Sequence, residues 1–81
     1  MMLDTLINLI GYLNYCGNTV VRVNSNCVNY IFQDQDRAIH FYKFLDDLID
    51  QLECVNIEVS LRADFDAIDA TFSYTVKIVS E

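Results

Sequence analysis

Residues 34–61 read DQDRAIHFYKFLDDLIDQLECVNIEVSL, and their hydrophobic period changes once. From Asp34 to Glu53 the apolar residues Ala38, Phe41, Tyr42, Leu45, Leu48, Ile49 and Leu52 fall in one stripe at 100° per residue, the mark of an amphipathic helix. Asp34 or Asp36 stands at its start, where a carboxylate accepts from free backbone N–H groups and suits the helix dipole. From Val55 to Leu61 the period drops to two. Val55, Ile57, Val59 and Leu61 alternate with Asn56, Glu58 and Ser60, which predicts a half-buried antiparallel strand. A helix and a strand with one apolar face each need further layers to cover those faces.

The flanking sequence supplies them. Phe72, Tyr74, Val76 and Ile78 alternate with Ser73, Thr75 and Lys77, a second strand. The stretch between the two, Ala63 to Ala70, reads as an acidic loop with Phe65 and Ile68 folded back onto the core. Upstream, Thr19–Asn24 and Val28–Gln33 are rich in β-formers and flank the turn-forming Asn24-Ser25-Asn26, which predicts a hairpin. Before them, Leu3, Leu6, Ile7, Ile10 and Leu13 recur at helical spacing. Asp4 or Thr5 serves that helix's first turn, and Gly17 stops it. The order α-β-β-α-β-β predicts an α+β two-layer sandwich, a four-stranded antiparallel sheet with both helices on one face. Leu45, Leu48, Leu52, Ile57, Val59 and Val76 are its expected core.

A chain of 81 residues supports a single domain, 1–81, burying ~60–65% of its unfolded surface. Its 53% hydrophobic content supplies enough apolar area to offset the ordering entropy. Little remains for a deep cleft. The three cysteines, Cys16, Cys27 and Cys54, are odd in number and form no CxxC pair, so they read as small buried thiols. The longest apolar stretch, Leu6 to Leu13, is too short to span a bilayer. No Lys or Arg precedes Arg22, so the expectation is a cytoplasmic protein without a secretory leader.

The net charge of −7 is unevenly placed. Residues 1–43 balance Asp4, Asp34 and Asp36 against Arg22, Arg37 and Lys43. Residues 46–69 carry Asp46, Asp47, Asp50, Glu53, Glu58, Asp64, Asp66 and Asp69 against Arg62 alone. Such a surface repels nucleic acid and anionic membranes and attracts a basic protein partner.

Signatures of chemistry are sparse. His40 projects from the second helix roughly opposite its apolar stripe, and no nucleophile motif surrounds any cysteine. Read as an EF-hand loop, Asp64 onward places Asp69 where the turn glycine belongs and Thr75 where the bidentate glutamate belongs. With only Gly11 and Gly17 in the chain, no phosphate-cradling loop forms. The aromatics Phe72 and Tyr74 share a strand face with Val76 and Ile78, which suits a core better than an RNA-stacking platform. The expectation is a non-enzymatic protein with no cofactor and no metal.

The second helix carries a feature that works against its own stability. Asp46–Asp50 is a like-charge i,i+4 pair, and Asp47–Asp50 and Asp50–Glu53 are i,i+3 pairs, each costing ~0.2–0.5 kcal/mol. All four acids crowd the C-terminal end, where the dipole favours cations. Stability given up locally points to a binding surface. In style, the hairpin strand Val28–Phe32, the acidic helix Asp34–Glu53 and the acidic Asp64–Asp69 segment resemble phage-encoded anti-CRISPR proteins and other nucleic-acid mimics. The resemblance implies inhibition by filling a basic groove of a nucleic-acid-binding protein or Cas effector, in the host cytoplasm. The implied carboxylates are Asp46, Asp47, Asp50 and Glu53, joined by Asp64, Asp66 and Asp69 if the loop packs near the helix end. Two other readings stay open. One is an immunity or antidote protein against a nuclease toxin. The other is an oligomerising module pairing through an edge strand or through Tyr12 and Tyr15, so both monomer and small homo-oligomer remain possible.

Overall fold

The computed structural model describes residues 3–12, 18–53 and 56–81. Leu13, Tyr15, Cys16, Gly17, Cys54 and Val55, the Tyr12 side chain, and the roles expected of them, lie outside the described residues. The elements follow in the expected order: α1 (Leu3–Tyr12), β1 (Asn18–Asn24), β2 (Cys27–Phe32), α2 (Gln35–Gln51), β3 (Ile57–Asp66) and β4 (Thr71–Ser80). The strands form one antiparallel sheet in the order β1-β2-β4-β3, so β1 and β3 are its edges.

Capping sets where α2 begins. Asp34 sits in an extended conformation, and its Oδ1 accepts from the N–H of Asp36 at 2.9 Å and of Arg37 at 3.5 Å. From there the apolar stripe lies on the sheet, with Ala38, Phe41 and Leu45 fully buried. They pack on Val28, Tyr30 and Phe32 of β2, on Val76 and Ile78 of β4 and on Ile57 of β3. Leu3, Leu6 and Ile10 of α1 belong to the same cluster, so both helices cover one face. The Phe41 ring stands 4.9 Å from Tyr30 and 5.3 Å from Phe32, in tilted geometries that favour aromatic pairs. At the outer edge Arg22 of β1 reaches α1 and pairs with Asp4 at 2.9 Å.

Four expectations need correction. Residues 63–66 are not loop, because β3 runs on to Asp66 and only Ala67–Ala70 form the turn. Phe65 and Ile68 do not fold back; they are 57% and 95% exposed. The expected core also overreaches along the chain. Leu52 and Leu61 are exposed and Leu48 and Val59 half-buried, while Leu45, Ile57 and Val76 are buried as expected. Phe72, read as a core residue of its strand, is 52% exposed.

For Phe65, Ile68 and Phe72 the reason is length, whereas Val59 and Leu61 lie within the four-stranded part on the edge strand β3. β2 pairs with β4 only from Cys27↔Val79 to Phe32↔Tyr74, whereas β3 and β4 continue past that level through Asp64↔Ser73, Phe65↔Phe72 and Asp66↔Thr71. Those last three pairs form a two-stranded ribbon overhanging the rest by ~10 Å. Its turn is organised by Asp66, whose Oδ1 accepts from the N–H of Ile68 at 2.9 Å and of Asp69 at 3.4 Å. Ala70 closes it at φ 53°, in the left-handed region.

Two outcomes follow from this core. Leu45→Ala, at a fully buried position, should cost ~2–5 kcal/mol, and Leu48→Ala distinctly less; urea denaturation of both variants reads the order. Burial pushes the Tyr30 phenol above its ordinary value of 10.0, against a smaller opposing pull from the Arg22 guanidinium. A raised folded value means the contribution is complete below the unfolded phenol's range and lost as pH rises through the folded one. Alkaline unfolding followed by circular dichroism should therefore begin above pH ~10 and move to higher pH in Tyr30→Phe.

Candidate functional site

Of the seven acids that the sequence singles out, four stay together. Asp46, Asp47 and Asp50 are exposed on the last turns of α2, and Glu53 follows two residues after the helix ends. None of their carboxylates makes an ion pair or hydrogen bond among the described residues, and neither does Lys43, the cation nearest to them on α2. Along α2 the rise places Asp47 ~1.5 Å and Asp50 ~6 Å beyond Asp46, and Glu53 follows past the helix end.

The backbone at this end is strained as well as like-charged. Leu52 is the C-cap, its N–H bonded to the Leu48 carbonyl at 2.9 Å. Glu53 then adopts φ 54° and donates its N–H to the Asp50 carbonyl at 3.2 Å. That left-handed position after a C-cap is one that glycine usually fills.

The remaining three acids lie elsewhere. Glu53 is four residues from Ile57, whereas β3 carries Asp66 ~30 Å away from Ile57 along the strand. Asp64 and Asp66 also alternate onto the sheet face opposite the helices, since Ile57 and Val59 face the core. Each has a local task. Asp64 accepts from Nε of Arg62 at 3.1 Å, and Asp66 caps the turn. Asp69, in the turn, has no side-chain partner among the described residues. The loop acids and the helix acids therefore do not form one patch.

A feature absent from the expected site appears on the ribbon. Phe65 and Phe72 lie cross-strand with ring centroids 4.9 Å apart, and Phe72 stacks on Tyr74 at 6.4 Å. With Ile68 at the tip they make an exposed apolar patch rimmed by Asp69 and, from the other face, Asp66. The sequence held the signal: Leu61, Ala63 and Phe65 continue the alternation of β3, with Arg62, Asp64 and Asp66 between them.

His40 is exposed on α2 and Cys27 is buried on β2. No group of three or more His, Cys, Asp or Glu side chains among the described residues is placed to hold a metal ion. No helix among them is long and apolar enough to cross a membrane. No family model, curated protein or solved structure matches this chain.

The helix end should behave as a liability to the isolated fold. Glu53→Gly relieves the left-handed strain and should stabilise the protein by ~0.5–1 kcal/mol. Asp50→Asn should add a few tenths of a kcal/mol at low salt and less at high salt. Thermal melts of both variants at two ionic strengths check the size and the salt dependence together.

Proposed function

We propose that this chain is an acidic binding protein that inhibits a nucleic-acid-handling partner by occupying its basic groove with the C-terminal end of α2. The observation that carries the reading is the run of Asp46, Asp47, Asp50 and Glu53: exposed, without a partner among the described residues, and crowded at the C-terminal end of α2. Their placement is costly for folding, since cations would suit both the dipole and the neighbouring charges. A basic groove repays that cost on association and speeds the encounter. The partner is a nucleic-acid-binding protein, with a Cas effector and a nuclease toxin as the two forms the mechanism fits equally. The exposed Phe65–Phe72 patch is an apolar contact available to a partner long enough to reach both ends of the molecule.

A second reading has its own support. β1 is an edge strand with Val20, Val21 and Val23 between 42% and 54% exposed and Arg22 its only charge. Such an edge is open to pairing with a second copy. Solution mass separates the two: the inhibitor reading needs no self-association, and the module reading requires it.

The inhibitor reading is tested with the immobilised chain and host lysate, in low and high salt, with duplex DNA or RNA as competitor. A basic nucleic-acid-binding protein should be captured in low salt and released by salt and by the competitor. The Asp47→Lys, Asp50→Lys double variant should lose the capture while keeping its circular dichroism spectrum. Capture that survives the double variant, or that nucleic acid does not compete away, removes this helix from the proposed interface.

A further inference from the structure

The sheet face opposite the helices is also organised. Across β2, β4 and β3, Asn29, Lys77 and Ser60 form one row of register partners, and Ile31, Thr75 and Arg62 form the next. Asn29, Ser60, Arg62, Thr75 and Lys77 line a hollow of ≈ 200 Å³ between them. Cross-strand neighbours stand ~5 Å apart and diagonal ones ~7–8 Å, so these polar groups converge within reach of one small molecule.

Two unmet needs meet there. The chain has five Lys and Arg residues, and it sets two of them, Arg62 and Lys77, diagonally beside each other, where like charges repel. Arg62 commits its Nε to Asp64, which fixes the guanidinium and leaves its terminal nitrogens free; Lys77 has no ion-pair or hydrogen-bond partner among the described residues. Beside them the Asn29 Oδ1 is buried and accepts no hydrogen bond. Cations call for an anion, and a bare acceptor calls for a donor. We infer that the hollow binds a small oxyanion that also carries a hydroxyl group, of the kind found in hydrogen phosphate or a 2-hydroxy carboxylate. The oxyanion sits between Arg62 and Lys77, with the Ser60 and Thr75 hydroxyls as further donors, and its own O–H donates to Asn29. The hollow is smaller than the ~300–1,000 Å³ typical of sites for drug-sized ligands, which suits a small ion better than a nucleotide. Glu58 and Asp64 occupy the same face on either side of Ser60 and Arg62 along β3, and they limit the site to an ion of low charge.

The test is a titration of the isotopically labelled full chain, followed by amide NMR at neutral pH and constant ionic strength. The four probes are sodium phosphate, sulfate, lactate and acetate. Saturable shifts centred on residues 29, 60, 62, 75 and 77 are expected with phosphate or lactate, and about tenfold weaker binding of sulfate and acetate, which lack the hydroxyl. Which of phosphate and lactate binds more tightly identifies the source of the ligand. Arg62→Gln and Lys77→Gln should each weaken binding about tenfold, and Glu58→Gln should strengthen it. All three positions are exposed, so a dispersed spectrum confirms that each variant folds. Equal binding of sulfate and phosphate together with equal binding of acetate and lactate, or shifts unchanged in the Arg62→Gln, Lys77→Gln double variant, would overturn the assignment.

Discussion

The fold hangs on Phe41. One ring, fully buried, touches both aromatic residues on the inner face of β2, Tyr30 and Phe32. A domain this small has one helix face and one sheet face to spend on its core, so the place where they grip decides which parts can let go. The grip lies in the first half of α2. Burial is complete at Ala38, Phe41 and Leu45, partial at Leu48 and Ile49, and weaker at Leu52, which is 39% exposed. The four acids begin one residue after Leu45. They occupy the stretch where the helix is already leaving the sheet and where their carboxylates stay hydrated, which keeps the charge crowding to tenths of a kcal/mol per pair. Moved one or two turns earlier along the buried stripe, the same charges would face a desolvation cost that no partner in this chain offsets.

The opposite end of the molecule is shaped by a second mismatch. Strands of ten residues reach farther than the six and seven residues of β2 and β1, so the end of the β3–β4 ladder has nothing on either flank. A two-stranded ribbon is marginal alone. This one is held by its continuity with the sheet, by the Phe65–Phe72 contact and by the Asp66 turn. The longest axis of the molecule, 40 Å against 23 and 18 Å for the others, reflects this arrangement. Acids appear at both ends but for different reasons: free charge on α2, local bonding at Asp64 and Asp66.

Element order and class were legible in the sequence because each element declares its own period, and the cap narrows to Asp34 or Asp36, of which Asp34 serves, because a cap is a local matter. What failed was non-local or ambiguous. Asp64 and Asp66 are poor strand formers, and a run of acids between two apolar strands reads as loop; on an edge strand the same residues are tolerated because they face water and guard the edge. Leu52 satisfies the helical stripe but is 39% exposed at the C-cap, past the last helical residue, and a stripe cannot report how far burial follows it. Splitting the seven acids into two groups needs the length and direction of β3. The open-face cluster is the least legible feature. Asn29, Ser60 and Lys77 are far apart in the chain, and only the register of β2, β4 and β3 makes them neighbours.

That register also allows a strongly acidic chain to hold an anion site and an acid-rich helix together. The hollow faces away from the helices, while the α2 acids point outward from the far side of the helical layer. A helix layer with its side chains is ~10 Å thick, and the sheet adds its own depth. At physiological ionic strength the Debye length is ~8 Å, so charges on the two surfaces are screened from each other through the surrounding solvent. Each surface therefore presents its local charge to the ligand proposed for it. Nor does a bistable element join them: Phe41 and the fully buried Leu45 lie between, in close-packed side chains that shift little when a surface ion binds. Two sites with no shared charge field and no shared switch have no coupling free energy to transmit, and occupancy of the hollow should leave the affinity of α2 for a basic partner unchanged.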